Sequence, residues 1–263
     1  MNRIRSDKIP KKYSDPALPD GLVPATGSII PEDNLVSNDP SFQITLPKTN
    51  GKRDPNIVKD SLFTLKRNEV FHIISENYAY KTETYYSILH HELKGEPVQP
   101  TSRAILDAYV VPLSLERAKL AGIPVCTWGI SQGYIPLPAI LYGLNYFATP
   151  SDYFVVRDMD QAKEVIKHVT NKGKYPFCYQ KLNDNATIHS CVGIFGKTTS
   201  PGPDIPSLVQ KVYEQFLLPL VTLVFVKTED SYLLSSLSPT KYSHLSAEER
   251  TILNAYLSGQ EFL

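Results

Sequence analysis

From Val70 to Pro100, a span of about 30 residues, the sequence reads as strand, loop, helix and strand, the order of a βαβ unit. Val70–Ser75 (VFHIIS) is a short β-rich apolar run that suits a buried strand. Asn77–Thr84 is a polar, aromatic-rich loop. The stretch Tyr85 to Lys94 then places Tyr85, Ile88, Leu89 and Leu93 at the i, i+3, i+4 spacing of one helical face. Thr84 is the expected N-cap, Gly95 the stop, and Val98 opens the next strand. Such a unit implies parallel strands joined by a right-handed crossover.

The alternation continues along the chain. Helices are expected at Ser114–Ala121, Asp160–Val169, Pro206–Phe216 and Ala247–Leu257. Strands are expected at Ile123–Trp128, Tyr153–Arg157, Tyr175–Tyr179, Cys191–Phe195 and Leu220–Val226, with Tyr232–Leu237 as an antiparallel neighbour of the last. The predicted class is α/β, a mostly parallel sheet built from βαβ units over residues 56–263, with Val70–Ser75 and Ile123–Val125 among its parallel strands. Residues 1–60 differ: they hold Pro10, Pro16, Pro19, Pro24, Pro31, Pro40, Pro47 and Pro55 and no sustained apolar periodicity. Each proline removes a backbone donor and biases its neighbour away from helix. Residues 1–55 are therefore expected to form an extended proline-rich arm, with a short strand at Phe42–Leu46. Such an arm can pack over its own domain or over a partner, including a second copy of the chain.

Composition narrows the function. The 263 residues are 42% apolar, enough for a sizeable core, and 27 basic residues balance 27 acidic ones. A net charge of zero argues against bulk nucleic-acid binding, which needs a cationic surface. No stretch approaches the ~20 apolar residues of a membrane helix, and the charged N-terminus lacks the apolar core of a signal peptide. Cys126, Cys178 and Cys191 are odd in number and widely spaced, which suits reduced core thiols and a cytoplasmic location.

Motifs for chemistry are sparse. Gly196-Lys197-Thr198 supplies the end of a phosphate loop, but Cys191 stands where the upstream glycine belongs, and Ser200-Pro201-Gly202-Pro203 resists immediate helix entry. The reading is a turn after a strand. His90 and His91 are adjacent, so on a helix they diverge by roughly 100° and do not share an ion easily. The densest polar and aromatic chemistry is Glu76 to Lys81 with Thr84 to Ser87, at the carboxyl end of the first strand of the unit and the start of its helix. Ligands of open α/β sheets bind at such ends, and a helix N-terminus favours an anionic group. Asn77, Tyr78, Tyr80, Tyr85, Tyr86 and Ser87 are the candidate substrate- or partner-binding residues; the alternative is that the tyrosines cover the sheet edge while their hydroxyls reach water.

Phe71-His72-Ile73-Ile74, Tyr78-x-Tyr80, Tyr85-Tyr86-Ser87-Ile88-Leu89, Glu92, Gly95 and Pro100 together resemble the RimK-like ATP-grasp N-terminal domain. There a strand is followed by Y-x-Y and then by a GYYVSLLAEARGH…P helix and turn. Val192-Gly193-Ile194-Phe195-Gly196-Lys197 is similar to the family's VYFGR strand, and the run from Val212 to Leu220 resembles its FERFPCPLLRVEF helix and strand. The family's glycine before the paired tyrosines is Thr84 here, its arginine is Lys197, and residues 101–190 make a longer middle than the resemblance leads one to expect.

In that family the module precedes an ATP-grasp domain, which phosphorylates a carboxylate with ATP and lets an amine attack the acyl phosphate. That reaction needs about two Mg²⁺ ions on carboxylates. The chain ends at Leu263, where such a domain is expected to begin, and its only E-x-N triplet is Glu32-Asp33-Asn34, inside the arm. The resemblance thus implies a stand-alone N-terminal module that binds substrate for, or docks to, a separate ATP-grasp carboxylate–amine ligase. ATP and Mg²⁺ are then expected on that partner and no cofactor or metal in this chain, which is not expected to catalyse ligation alone. The competing readings are a small α/β enzyme with its site near Tyr80 and Tyr85-Tyr86-Ser87, and a purely structural or interaction protein that uses the arm.

Overall fold

A computed structural model of the chain describes residues 61–145, 148–229 and 231–258. The expected arm, the strand at Phe42–Leu46 and the boundary near Asn56 lie outside the described residues. The first sheet is made by β1 (Phe63–Arg67), β2 (Val70–Ile74) and β3 (Val98–Gln99), in the order β1-β2-β3. β1 and β2 form an antiparallel hairpin, while β2 and β3 pair in parallel through Phe71 with Val98 and His72 with Gln99. Between them runs α1 (Glu83–Leu93), so the predicted βαβ unit exists. Its cap is Thr82 rather than Thr84: the Thr82 side chain accepts the Tyr85 N–H, and Thr84 turns inward to buried Ser75.

The chain continues through α2 (Ser102–Tyr109) and α3 (Val111–Leu120) into a four-stranded sheet. Its strands are β4 (Trp128–Ser131), β5 (Ala139–Gly143), β6 (Tyr153–Val156) and β7 (Phe177–Lys181), ordered β4-β7-β5-β6, with α4 (Met159–Val169) between β6 and β7. β8 (Thr187–Ile194), α5 (Ile205–Phe216), β9 (Leu220–Lys227), β10 (Tyr232–Ser238) and α6 (Ala247–Leu257) follow, and β9 lies between β8 and β10 in the third sheet.

The expectation of a mostly parallel sheet is corrected here. Both larger sheets are antiparallel throughout, and β2 with β3 is the parallel strand pair among the described residues. Ile123–Val125 forms no strand; Val125 makes an isolated parallel bridge to Leu234. The strands alternate with helices in sequence, but beyond α1 the described helices cover sheet faces instead of crossing between parallel neighbours.

Apolar patterning explains the layers. α5 turns Leu208, Val209, Val212 and Phe216 onto Val221, Leu223 and Phe225 of β9, together with Ala108 of α2 and Ala118 of α3. Alternate residues of the four-stranded sheet face two ways. Ala139, Leu141 and Phe177 meet Ala162 and Val169 of α4, while Ile140, Tyr142 and Cys178 meet Leu115, Val226 and Leu182. Residues 101–190 are therefore an integral layer of the fold. No helix among the described residues is long and apolar enough to cross a membrane.

Candidate functional site

The loop after β2 is held by its own side chains. Tyr78 folds back into the core, where it is 2% exposed; its hydroxyl donates to the Ile73 carbonyl at 3.0 Å and accepts the Ser75 N–H at 3.1 Å. Burial pushes that phenol well above its usual range. Ser75 Oγ accepts the Asn77 N–H at 3.1 Å and the Thr84 hydroxyl at 2.8 Å. Asn77 Oδ1 accepts the Ala79 N–H, the Thr82 hydroxyl donates to the Ala79 carbonyl, and Glu76 accepts the Tyr242 N–H at 2.7 Å. These bonds, together with the Tyr78 ring packed against Ile73, Ile88, Val98 and Ile105, fix the turn.

The braced loop presents three phenols. Tyr80 and Tyr86 are 58% and 56% exposed, and Tyr85 is half-buried between them. Tyr80 and Tyr85 meet edge to face at 5.2 Å between centroids, Tyr85 and Tyr86 at 6.2 Å, and Lys81 Nζ lies 5.4 Å from the Tyr80 ring. Asn77 is exposed beside them, Ser87 is half-buried on α1, and Tyr78 lies beneath as a core residue. The helix N-terminus nearby carries Glu83 in its first turn and is capped by Thr82, so an incoming anion meets a carboxylate there.

The other sequence candidates have structural duties. His91 Nδ1 lies 2.7 Å from Glu96 Oε2, which keeps that carboxyl below its usual range, and the His91 ring stacks on Phe71. Glu92 Oε1 accepts the Ser102 N–H at 2.8 Å and so joins α1 to the start of α2. Ile194 and Lys197 exchange both backbone hydrogen bonds around Phe195 and Gly196, whose φ values are +48° and +80°. This is a tight two-residue turn, and α5 begins only at Ile205. Among the described residues, no group of three or more His, Cys, Asp or Glu converges as a metal site would.

Sequence reasoning missed a buried polar bridge between the second and third sheets. Ser235 is the extra residue of a bulge in β10: Leu234 pairs with Phe225 and Ser236 with Val224, leaving Ser235 without a partner on β9. Gln180 of β7 compensates, donating from Nε2 to the Ser235 carbonyl at 2.8 Å and accepting the Ser235 hydroxyl at 2.7 Å. Tyr142 of β5 shares its hydroxyl between Ser235 Oγ at 2.6 Å and Ser236 Oγ at 3.2 Å. All four residues are buried, and none is a carboxylate, imidazole or amine. The available signal was polar residues inside apolar strands, Gln180 in FCYQK and Ser235-Ser236 in YLLSSLS. A separate groove of about 320 Å³ lies at the end of α4, lined by Asn145, Asp152, Phe154, His168 and Asn171 among others.

No protein-family model matches this sequence, and no curated protein matches it. Solved structures do match in shape. D-alanine–D-alanine ligase from Helicobacter pylori aligns over 65% of this chain and 65% of its own, at 14% identity and a TM-score of 0.51. The D-alanine–D-alanine ligase of Bacillus anthracis aligns over 65% and 71%, at 11% identity and a TM-score of 0.50. The fold is ATP-grasp-like. A RimK domain ATP-grasp protein from Sphaerobacter thermophilus aligns over 66% and 77%, at 16% identity and a TM-score of 0.49. The chain spans 65% of the length of the Helicobacter ligase. The likeness is to ATP-grasp ligases, and it does not single out a separate N-terminal module.

Proposed function

We propose that this ATP-grasp-like chain is a binding component for ATP-dependent carboxylate–amine ligation, docking to or presenting substrate to a separate ATP-grasp ligase. The observation that carries the proposal is the braced tyrosine surface of Tyr80, Tyr85 and Tyr86, with Asn77 at its side. Tyrosines offer large amphipathic contact area at low entropic cost and are enriched among the residues that dominate protein interfaces. A loop held by its own hydrogen bonds loses little further freedom on binding.

Ligation itself is assigned to the partner, together with ATP and Mg²⁺. Two features support that assignment. The only E-x-N triplet of the sequence is Glu32-Asp33-Asn34, in the proline-rich segment. Where the second and third sheets meet, Tyr142, Gln180, Ser235 and Ser236 satisfy one another and offer no acid, base or nucleophile of suitable pKa.

The test is affinity capture from native extract with the tagged chain. Wild type is expected to bring down an ATP-grasp protein, and Tyr85→Ala with Tyr86→Ala to lose it while keeping its circular dichroism spectrum. Capture of the same protein by the folded double variant would move the docking surface elsewhere; no ATP-grasp protein in either capture would overturn the proposal.

A further inference from the structure

The four-stranded sheet ends on one side at β4, and the register shows which groups that edge offers. Lys181 donates to the Thr127 carbonyl at 3.0 Å, and Trp128, Gly129, Ile130 and Ser131 continue opposite Gln180, Tyr179, Cys178 and Phe177. Bonding alternates along an antiparallel pair. Thr127, Gly129 and Ser131 thus turn their N–H and C=O groups to β7, and Trp128 and Ile130 turn theirs away from the sheet. Among the described residues no strand pairs with that outer side. Ile130 is 55% exposed and Tyr134, just beyond β4, is 78% exposed.

Exposed edges are ordinarily blunted by charge or by proline within the strand. β4 has neither, and the surrounding sequence extends the anomaly: from Leu120 to Ser151 there is no charged side chain and no histidine, in a chain that is 21% charged. The opposite edge strand, β6, is flanked by Asp152 and Arg157.

We propose that the β4 edge is a self-association surface, on which β4 pairs antiparallel with β4 of a second copy and joins two four-stranded sheets into one. The uncharged run is what selects a second copy over a foreign strand. A two-fold interface sets a patch against itself, so a charge near its centre would face its own like; a run without charges escapes that penalty. A foreign peptide chosen by charge would find nothing complementary here. Zero net charge also removes the long-range repulsion between copies.

Sedimentation velocity on the full chain, from micromolar to submillimolar concentration, tests this. Wild type is expected to dimerise reversibly. Ile130→Lys, which places like charges together, is expected to weaken the dimer by at least about tenfold. Ile130→Glu does the same, and mixing the two variants restores association. Circular dichroism checks that each variant folds; if Ile130→Lys does not, Tyr134→Arg is expected to show the same loss. A wild type that stays monomeric throughout overturns the proposal. So does a folded lysine or arginine variant that dimerises as wild type does, because self-association would then lie elsewhere in the chain.

Discussion

Cys126 and Cys178 sit in the apolar contacts between the second and third sheets and Cys191 in those between the third sheet and its helices, and burial pushes each thiol up to about 12 from an ordinary 9.0. The thiolate is the nucleophile, so these side chains are expected to be inert in the native protein: a colourimetric disulfide reagent should titrate none of them until denaturant is added, and three thereafter. Reaction in the native state would mean that the layers open readily. The same shifts set an alkaline limit. Between about 9 and 12 the folded thiol keeps a proton that the unfolded chain releases, so its contribution to stability is complete below 9 and lost as pH rises toward 12. The slope is about 1.4 kcal/mol per pH unit for each thiol. Core thiols were legible from their apolar neighbours. Tyr78 shows the limit of that legibility. It stands with Tyr80 among the candidate binding residues, yet the turn tied by Ser75, Asn77 and Thr82 sends one phenol inward and the other out.

At the scale of elements, the turn Phe195-Gly196 bears directly on nucleotide binding. Its two backbone bonds between Ile194 and Lys197 close the chain at once, so successive N–H groups do not converge on one point as a phosphate cradle requires. Calorimetric titration of the isolated chain with Mg-ATP is expected to show no micromolar binding, and Lys197→Ala no change. Micromolar affinity abolished by that substitution would identify the turn as a phosphate loop after all. Helices with one clear apolar face, such as α4, α5 and α6, could be read nearly to their ends, as could the long apolar strand β9. Pairing direction could not. A strand's apolar pattern records which face is buried, not whether its neighbour runs with it or against it, and the alternation of strands with helices pointed to crossovers that, among the described residues, only β2, α1 and β3 provide. β5 follows directly on Pro136 and Pro138, and a proline ahead of a strand costs the ladder nothing. α2 carried a usable sign in Thr101, whose side chain accepts the Ala104 N–H.

Across the whole molecule, the decisive contact joins parts of the chain that sequence inspection had no means to bring together. Gln180 and Ser235 lie in different sheets, and the bulge that frees the Ser235 carbonyl from β9 creates the demand that Gln180 meets. A buried carbonyl or hydroxyl left without its partner costs about 1–3 kcal/mol. Gln180→Leu removes the partner of the Ser235 carbonyl and one of the two partners of its hydroxyl, so it is expected to lower the unfolding free energy in urea by about 1–3 kcal/mol, although leucine fills most of the space. Tyr142→Phe removes the hydroxyl shared by Ser235 and Ser236 and is expected to cost about 1–2 kcal/mol. Because Ser235 Oγ is bonded to both side chains, the two losses should not add: once one partner is gone, the serine can rotate toward the other. A double-mutant cycle is expected to give a coupling of at least about 0.5 kcal/mol, with unfolding still a single transition by both fluorescence and far-ultraviolet dichroism. Additive losses would mean that Gln180 and Tyr142 act separately. Two separate transitions would mean that apolar contacts alone, without this network, fail to bind the second sheet to the third.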